Sequence, residues 1–287
     1  MIGIISDTGT DIPAMVYEKE NVEVVKLKVI MDDLVVEDGE IEQFPTIIDY
    51  MTNGFPKTSL PSFYEVKEKM LNLINRGIKE IFTFNLSNKL SGTYNLFRLV
   101  SEDIVREYKD IRIKQFDTLS VSLGAANYIV KAQQMIEAGK SFDEISTYMK
   151  EAIPQKSSVF FTIPTIKFLK AGGRIGRVSG TIAEILNIKP VITCANDGIY
   201  STVGKARGLK KAYKIVKENA YQIIRENKVK ICGFGWSGNA SETLREIETI
   251  KNELREMGVE TIYGHHISAT LFVNTGLDLI GIAPMVD

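Results

Sequence analysis

The sequence predicts a two-domain α/β protein. An N-terminal doubly wound, mainly parallel sheet covers residues 1–156, and a C-terminal α/β domain with a mixed sheet covers 157–287. Three observations carry this. Apolar strand patterns at 1–7, 81–86 and 111–118 each end in small polar residues (DTGT, NLS, DT) before a helical pattern, as strands do along the ligand edge of a parallel sheet. The second half adds a hairpin signal, NDG at 196–198, among further strand–helix units. A chain of 287 residues is long for one domain and comfortable for two. No linker-like composition marks the boundary near Lys156.

The elements follow in order. MIGIISD is a buried strand ending at Asp7, and Asp11 followed by Pro13 has the form of a helix N-cap. VEVVKLKVIMDDLVVEDGE alternates around a DD turn and reads as a hairpin or two short strands. A helix around 46–51 leads into NGFPKTSLPS, which is too proline-rich for regular structure and carries clustered hydroxyls. Residues 62–76 return as an amphipathic helix with Phe63, Val66, Met70, Leu73 and Ile74 on one stripe. IFTFNL is a strand, and a helix capped near Ser91 runs through Tyr94, Phe97 and Val100. A strand at 111–118 and helices at 120–135 and 142–152 close the first half.

SSVFFTIP opens the second half as a strand, and the segment through GGRIGRVSG is a loop or helix boundary. ILNIKPVITCANDGIYSTVGKARG forms a β-hairpin, followed by a helix at about 207–226. KVKICGFGWSG is a strand, 241–257 a charged surface helix and VETIYGHH another strand; the tail ends in a last buried strand.

Composition narrows the function. Hydrophobic residues make 44%, charged residues 25%, and the net charge is −1, a profile that suggests neither nucleic acid nor an anionic membrane surface. Cys194 and Cys232 lie too far apart for a metal motif and read as reduced thiols. The first residues lack a signal-peptide pattern and no apolar run reaches membrane-span length, so a soluble, cytoplasmic protein without stable membrane insertion is expected.

Catalytic constellations are scarce. His265 and His266 are the two histidines, and as strand neighbours they point to opposite faces. The glycine-rich run at 172–180 lacks the Lys-Ser/Thr ending of a phosphate loop and reads as a turn whose Arg174 and Arg177 pair with carboxylates. Asp7 and Asp117 are either paired carboxylates or plain strand-end turn residues. The stretch LSNKLSGTY offers a different chemistry. Ser87, Asn88, Ser91, Gly92 and Thr93 place hydroxyls and helix-start amides at the carboxyl end of a strand, a cradle for a carboxylate or phosphate. Its plain alternative is an ordinary capped helix.

DTGTDIP (7–13), KTSLPS (57–62), LSNKLSGTY (86–94), KAGGRI (170–175), LNIKPVI (186–192) with DG (197–198), KARGLKKA (205–212) and NTGLDLIGIA (274–283) stand in an order that resembles the DegV family over essentially the whole chain. The resemblance implies a DegV-like pair of α/β domains binding a long-chain fatty acid, with no cofactor, no metal and no catalysis. One branch presents that acid to a separate ATP-dependent fatty-acid kinase, which forms an acyl phosphate. It implies a head-group site at Thr58, Ser59, Ser91, Gly92 and Thr93. Arg207 matches a basic position associated with the acyl phosphate or the kinase encounter, and Asn274 and Thr275 begin the closing block. The family commonly has His where this chain has Asn274, and Asn cannot gain a proton near neutral pH; His265 or His266 could take that place from a neighbouring strand. The second half offers Phe160, Phe161, Ile163, Ile166, Phe168, Ile182, Ile185, Leu186, Leu271 and Phe272 for a tail tunnel, with ordinary core packing the default for each. A small-molecule, phosphotransferase-like enzyme using the same loops around a phosphate is the alternative.

Overall fold

The computed structural model describes residues 1–39, 43–180 and 187–287. The first half contains β1 (Ile2–Asp7), α1 (Ala14–Tyr17), β2 (Val22–Val25), β3 (Lys28–Met31), β4 (Leu34–Glu37) and α2 (Phe44–Asn53). It continues with β5 (Lys57–Ser59), α3 (Phe63–Asn75), β6 (Glu80–Asn85), α4 (Thr93–Glu107), β7 (Arg112–Asp117), α5 (Ser122–Glu137) and α6 (Phe142–Ala152). The second half contains β8 (Phe160–Thr162), α7 (Lys167–Ala171), β9 (Ile188–Cys194), β10 (Tyr200–Arg207) and α8 (Leu209–Glu226). It ends with β11 (Val229–Trp236), α9 (Ser241–Glu256), β12 (Thr261–His266), α10 (Ala269–Thr275) and β13 (Ile280–Val286).

A four-stranded sheet, β2-β1-β6-β7, is parallel throughout. Its central strands β1 and β6 read as apolar runs because both of their faces are covered, while the edge strand β7 is largely polar. Ile4, Phe82 and Phe84 pack on one side, while Ile5 and Ile81 pack on the other against Val66, Met70 and Leu73 of α3 and Phe97 and Val100 of α4. The six-stranded sheet, β10-β9-β8-β13-β11-β12, is antiparallel except for the β11–β12 pair. Phe160, Val191, Cys232, Phe234, Ile280 and Ile282 pack beneath α8 and α9, and their strand neighbours Phe161, Ile192, Ile231 and Ala283 turn to the opposite face.

That opposite face meets α5. Residues Ser122–Val130 of α5 are buried without a break, as befits a helix enclosed on all sides. Polar bonds tie it to the second sheet: Asn127 Nδ2 donates to the Ala283 carbonyl at 2.9 Å, and the Tyr263 hydroxyl donates to Asn127 Oδ1 at 2.7 Å. One hydrophobic cluster therefore runs from Phe82 and Phe84 through Leu123 and Ala126 to Phe161 and Ala283.

Three local expectations need correction. KTS in the proline-rich segment is regular: β5 pairs with β3 in a small antiparallel sheet, β4-β3-β5, with Thr58 opposite Val29. Pro56 and Pro61 flank the strand, where their missing N–H groups remove no ladder bond. Asp11 is not an N-cap; it sits at φ 46° closing a 3-10 turn, and Pro13 precedes α1. The tail holds a short helix, α10, before its final strand. ATLFVNT is too short to show a helical period.

Candidate functional site

A cavity of about 250 Å³ opens between the parallel sheet's loops and the α5-facing side of the mixed sheet. Its mouth is polar. β5 brings Thr58 and Ser59, and the loop after β6 brings Ser91 and Gly92. Behind it, the first half supplies Leu27, Leu86, Leu90, Val121 and Leu123. The second half supplies Val159, Phe161, Leu169, Tyr200, Ile267 and Leu279.

The mouth is anchored on both sides. Ser62 and Glu65 form a reciprocal capping box at the start of α3, immediately after β5. Lys28, which faces Ser59 across the β3–β5 ladder, lies 2.7 Å from Glu65 and with Ser62 holds that carboxyl at about 2. On the other side, Leu90 N and Ser91 N donate to the Ser87 carbonyl at 2.9 and 3.1 Å, and Ser87 Oγ donates to Gly198 O of the second half at 2.9 Å.

The hydroxyls differ in what they have left to give. Ser91 does not cap α4 as expected: Gly92 is the cap residue, and α4 begins at Thr93. Ser91 Oγ instead lies 2.6 Å from Thr93 Oγ1 and accepts from Thr93 N at 3.2 Å. Thr93 is fully buried and off the cavity wall, so it acts through Ser91. With Thr93 donating, the Ser91 proton is free to point into the cavity. The side chains of Thr58 and Ser59 bond to nothing else among the described residues, although both are partly buried.

A cation stands beside these donors. Arg174 lines the cavity; its Nε donates to the Leu90 carbonyl at 3.3 Å and its Nη1 to Gly172 O at 2.5 Å. Among the described residues it has no carboxylate partner, unlike Arg177, which pairs with Asp197 as expected. Two backbone carbonyls fix the guanidinium, and no carboxylate among the described residues pairs with its charge. The motif KAGGRI contains this residue, but nothing in the spacing separates it from Arg177.

The closing block is less available. Asn274 and Thr275 line the cavity, but Asn274 Nδ2 donates to Thr270 O at 2.8 Å and Thr275 Oγ1 to Leu271 O at 3.0 Å, both back along α10. Neither histidine replaces the missing one. His265 bonds to the Asp11 carbonyl at 2.9 Å, His266 accepts from Trp236 Nε1 at 2.8 Å, and both lie off the cavity wall. Arg207, at the far end of β10 from Tyr200, is exposed and outside the cavity. Asp7 and Asp117 are not paired: Asp7 accepts from Gly9 N and Asn85, and Asp117 from Asn88 N and Leu119 N. No group of three or more His, Cys, Asp or Glu among the described residues could hold a metal.

Of the residues offered for a tail tunnel, most of those described keep the core packing that is their default. Phe161 and Leu271 line the cavity; Phe160 faces α8 and α9, Ile163 is in the packed core, Phe168 meets Phe55, and Phe272 meets Phe44. Ile166 packs at the edge of the core, and Ile182, Ile185 and Leu186 lie outside the described residues. Strand alternation separates Phe160 from Phe161, and a pattern of apolar residues cannot say which face meets a void.

A family model described as "Uncharacterised protein, DegV family" matches residues 1–286. A DegV domain-containing protein of Clostridium acetobutylicum is 30% identical over 284 residues, covering 98% of this chain and 97% of the relative. Among solved structures, a fatty-acid-binding DegV family protein from Thermus thermophilus superposes with a TM-score of 0.87 at 25% identity, covering 100% and 99% of the two chains. A stearic-acid-binding protein from Eubacterium ventriosum gives 0.88 at 25% identity, covering 100% and 98%. The Fak B3 protein of the Streptococcus pneumoniae fatty acid kinase, loaded with linoleic acid, shares the fold with a TM-score of 0.83 at 20% identity over the full length of both. With a family match from end to end and the same two-sheet architecture, this chain belongs to the DegV family.

Proposed function

We propose that this protein binds a long-chain fatty acid, with the acyl tail in the cavity and the carboxylate at its mouth. The observation that carries this is the cavity's asymmetry. Apolar side chains line its depth, while the hydroxyls of Thr58 and Ser59 and the Arg174 cation, which have no side-chain partner among the described residues, meet the Ser91–Thr93 relay at one side. A carboxylate cannot enter an apolar chamber unpaired. Held by these donors it stays ionised at the rim, and the backbone N–H at Gly92 is a further donor. Each buried methylene contributes about 0.8 kcal/mol, so a long tail outweighs the several kcal/mol lost on association. The fatty-acid-binding neighbours from Thermus thermophilus and Eubacterium ventriosum support the reading.

In this reading the chain is a carrier without chemistry or cofactor of its own, and residues 1–156 and 157–287 are two domains that clasp the ligand between their sheets. Presentation to an ATP-dependent fatty-acid kinase is the role the family resemblance adds. Arg207 is then a contact for that partner on the protein's surface, since it lies off the cavity wall. Asn274, which cannot gain a proton near neutral pH and has one amide hydrogen engaged by Thr270 O, makes the chain a binder first and a phosphorylation carrier second. No helix among the described residues is long and apolar enough to cross a membrane, and both cysteines are free, which fits a carrier in the reducing cytoplasm.

The test is mass spectrometry of the purified protein after denaturation. Release of a stoichiometric long-chain acid is the expected result. Release of a polar phosphorylated metabolite would instead favour the phosphotransferase alternative and overturn this one.

A further inference from the structure

Two strand glycines on the cavity wall have no backbone reason to be glycine. Gly235 on β11 and Gly281 on β13 are direct register partners, and both line the cavity. Neither takes a positive φ. Glycine in a strand interior is costly and marks a place where something approaches the backbone closely. At Gly233, two residues earlier on β11, that something is the Tyr263 ring: a Cβ would lie 2.8 Å from it. The pair is crowded instead by side chains that belong to the cavity wall. A Cβ at Gly235 would meet Leu123 Cδ1 at 3.0 Å and Ile267 Cγ2 at 3.3 Å, and one at Gly281 would meet Phe161 Cβ at 3.3 Å. Leu123, Ile267 and Phe161 are themselves cavity lining. Their strand neighbours Phe234, Ile280 and Ile282 face the other way, into the core under α8 and α9. Carbon added at either glycine would press these side chains into the chamber, so the pair keeps this strip of the chamber wide.

We propose that the Gly235–Gly281 pair sets the length of acyl chain the protein accepts, by surrendering side-chain volume to the ligand. The inference rests on the fatty-acid reading above. Protein interiors are close-packed, so carbon added to the wall displaces a similar amount of ligand carbon. Gly235→Val adds three carbons on the cavity side and is expected to shift the best-bound acid downward by about two to three carbons. Longer acids then bind about fourfold more weakly for each methylene left without room. Leu123→Ala opens the same strip from the other side and is expected to shift the optimum upward. In the double variant the two changes offset, and the wild-type profile returns.

The experiment titrates delipidated full-length protein with saturated acids from lauric to arachidic, with thermal unfolding as a check on folding. A downward shift in Gly235→Val, an upward shift in Leu123→Ala and restoration in the double variant support the proposal. An unchanged length profile in a folded Gly235→Val, or equal weakening of every acid, overturns it while leaving fatty-acid binding intact. Wild-type protein that takes up no acid of the series overturns the fatty-acid reading and this inference together. Should Gly235→Val not fold, Gly281→Ala adds a single methyl to the same strip, with a shift of about one carbon expected and the same overturning outcomes.

Discussion

The loops that follow β1 and β6 sit at the same end of adjacent parallel strands, and both are made of small polar residues, yet only one is free to receive a ligand. After β1, every group is already engaged. Ser6 Oγ donates to Phe84 O and Thr10 Oγ1 to Asp7 O; Asp7 accepts from Gly9 N and Asn85. Asp11 accepts from Ser122 Oγ and Ser268 N, while Asp38 beside this loop accepts from Ala269 N and Thr270 Oγ1. The loop is rich in acceptors, and burial pushes the carboxyls of Asp7, Asp11 and Asp38 upward. An anion there would meet oxygen acceptors and donors that are already spent. After β6, the Ser91 hydroxyl faces a void, β5 adds two hydroxyls without a side-chain partner among the described residues, and the neighbouring charge is the cation Arg174. Position along the sheet edge selects both loops as candidates; the balance of spent and unspent donors decides between them.

Matched substitutions in the two loops should separate binding from folding. The largest effect is expected for Ser91→Phe, which removes a donor and fills the mouth. Retention of fatty acid should fall more than about a hundredfold, while thermal unfolding stays near wild type. Thr10→Val is the mirror case: it breaks bonds to Ser6 and Asp7, should cost about 1–3 kcal/mol of stability, and should leave the acid bound. If Ser91→Phe retains its acid as wild type does, the donor-based distinction between the loops fails.

Arg174 sharpens the comparison through charge. Arg174→Gln keeps much of the side chain's length and polarity but loses the cation, and a hydrogen bond to a charged group is worth about 1.5–3 kcal/mol. Affinity for a fatty acid should therefore drop about tenfold to a hundredfold, and affinity for the matching fatty alcohol should hardly change. Equal losses for acid and alcohol would show that Arg174 shapes the wall rather than pairing with the head group. Thr58→Val should be milder, about fivefold for the acid, because it removes one neutral donor while Ser59 and Ser91 remain.

Much of this contrast was written in the chain before any fold was known, but not all of it. The strand–loop–helix rhythm at 1–17, 81–107 and 111–137 shows the parallel sheet, since buried apolar runs with polar endings have few other solutions. The hydroxyl clusters KTS and LSGT were visible as candidate donors, and the structure brings both to one mouth. Two kinds of fact were hidden. The role proposed for Arg174 rests on its having no carboxylate partner among the described residues, and no local pattern reports what lies across space. The tail wall depends on which face of β8 and β13 looks into a void: Phe160 and Phe161 are alike as letters, yet one is core and the other lining. Gly235 and Gly281 reveal themselves only as partners in register, 46 positions apart in the chain.

The smallest expected effect concerns the closed loop and reads its acceptor-rich character directly. Burial raises the Asp7 carboxyl from 3.8 to about 7, with the bonds from Asn85 and Gly9 opposing that rise. The native state therefore holds this proton at pH values where the unfolded chain has already released it. Protons bound in the native state exceed those in the unfolded state, so stability declines as pH climbs from about 4 to about 7 and levels off above. Asp11 and Asp38 are shifted in the same direction and add to the slope. Asp7→Asn removes one titration and retains an acceptor for Gly9 N. Denaturant unfolding at pH 4 and pH 8 should show a smaller loss of stability for the variant than for wild type, with fatty-acid binding unaltered. An identical slope in both proteins would mean that Asp7 releases its proton as readily in the folded chain as in the unfolded one, and burial in the closed loop would then leave its titration unshifted.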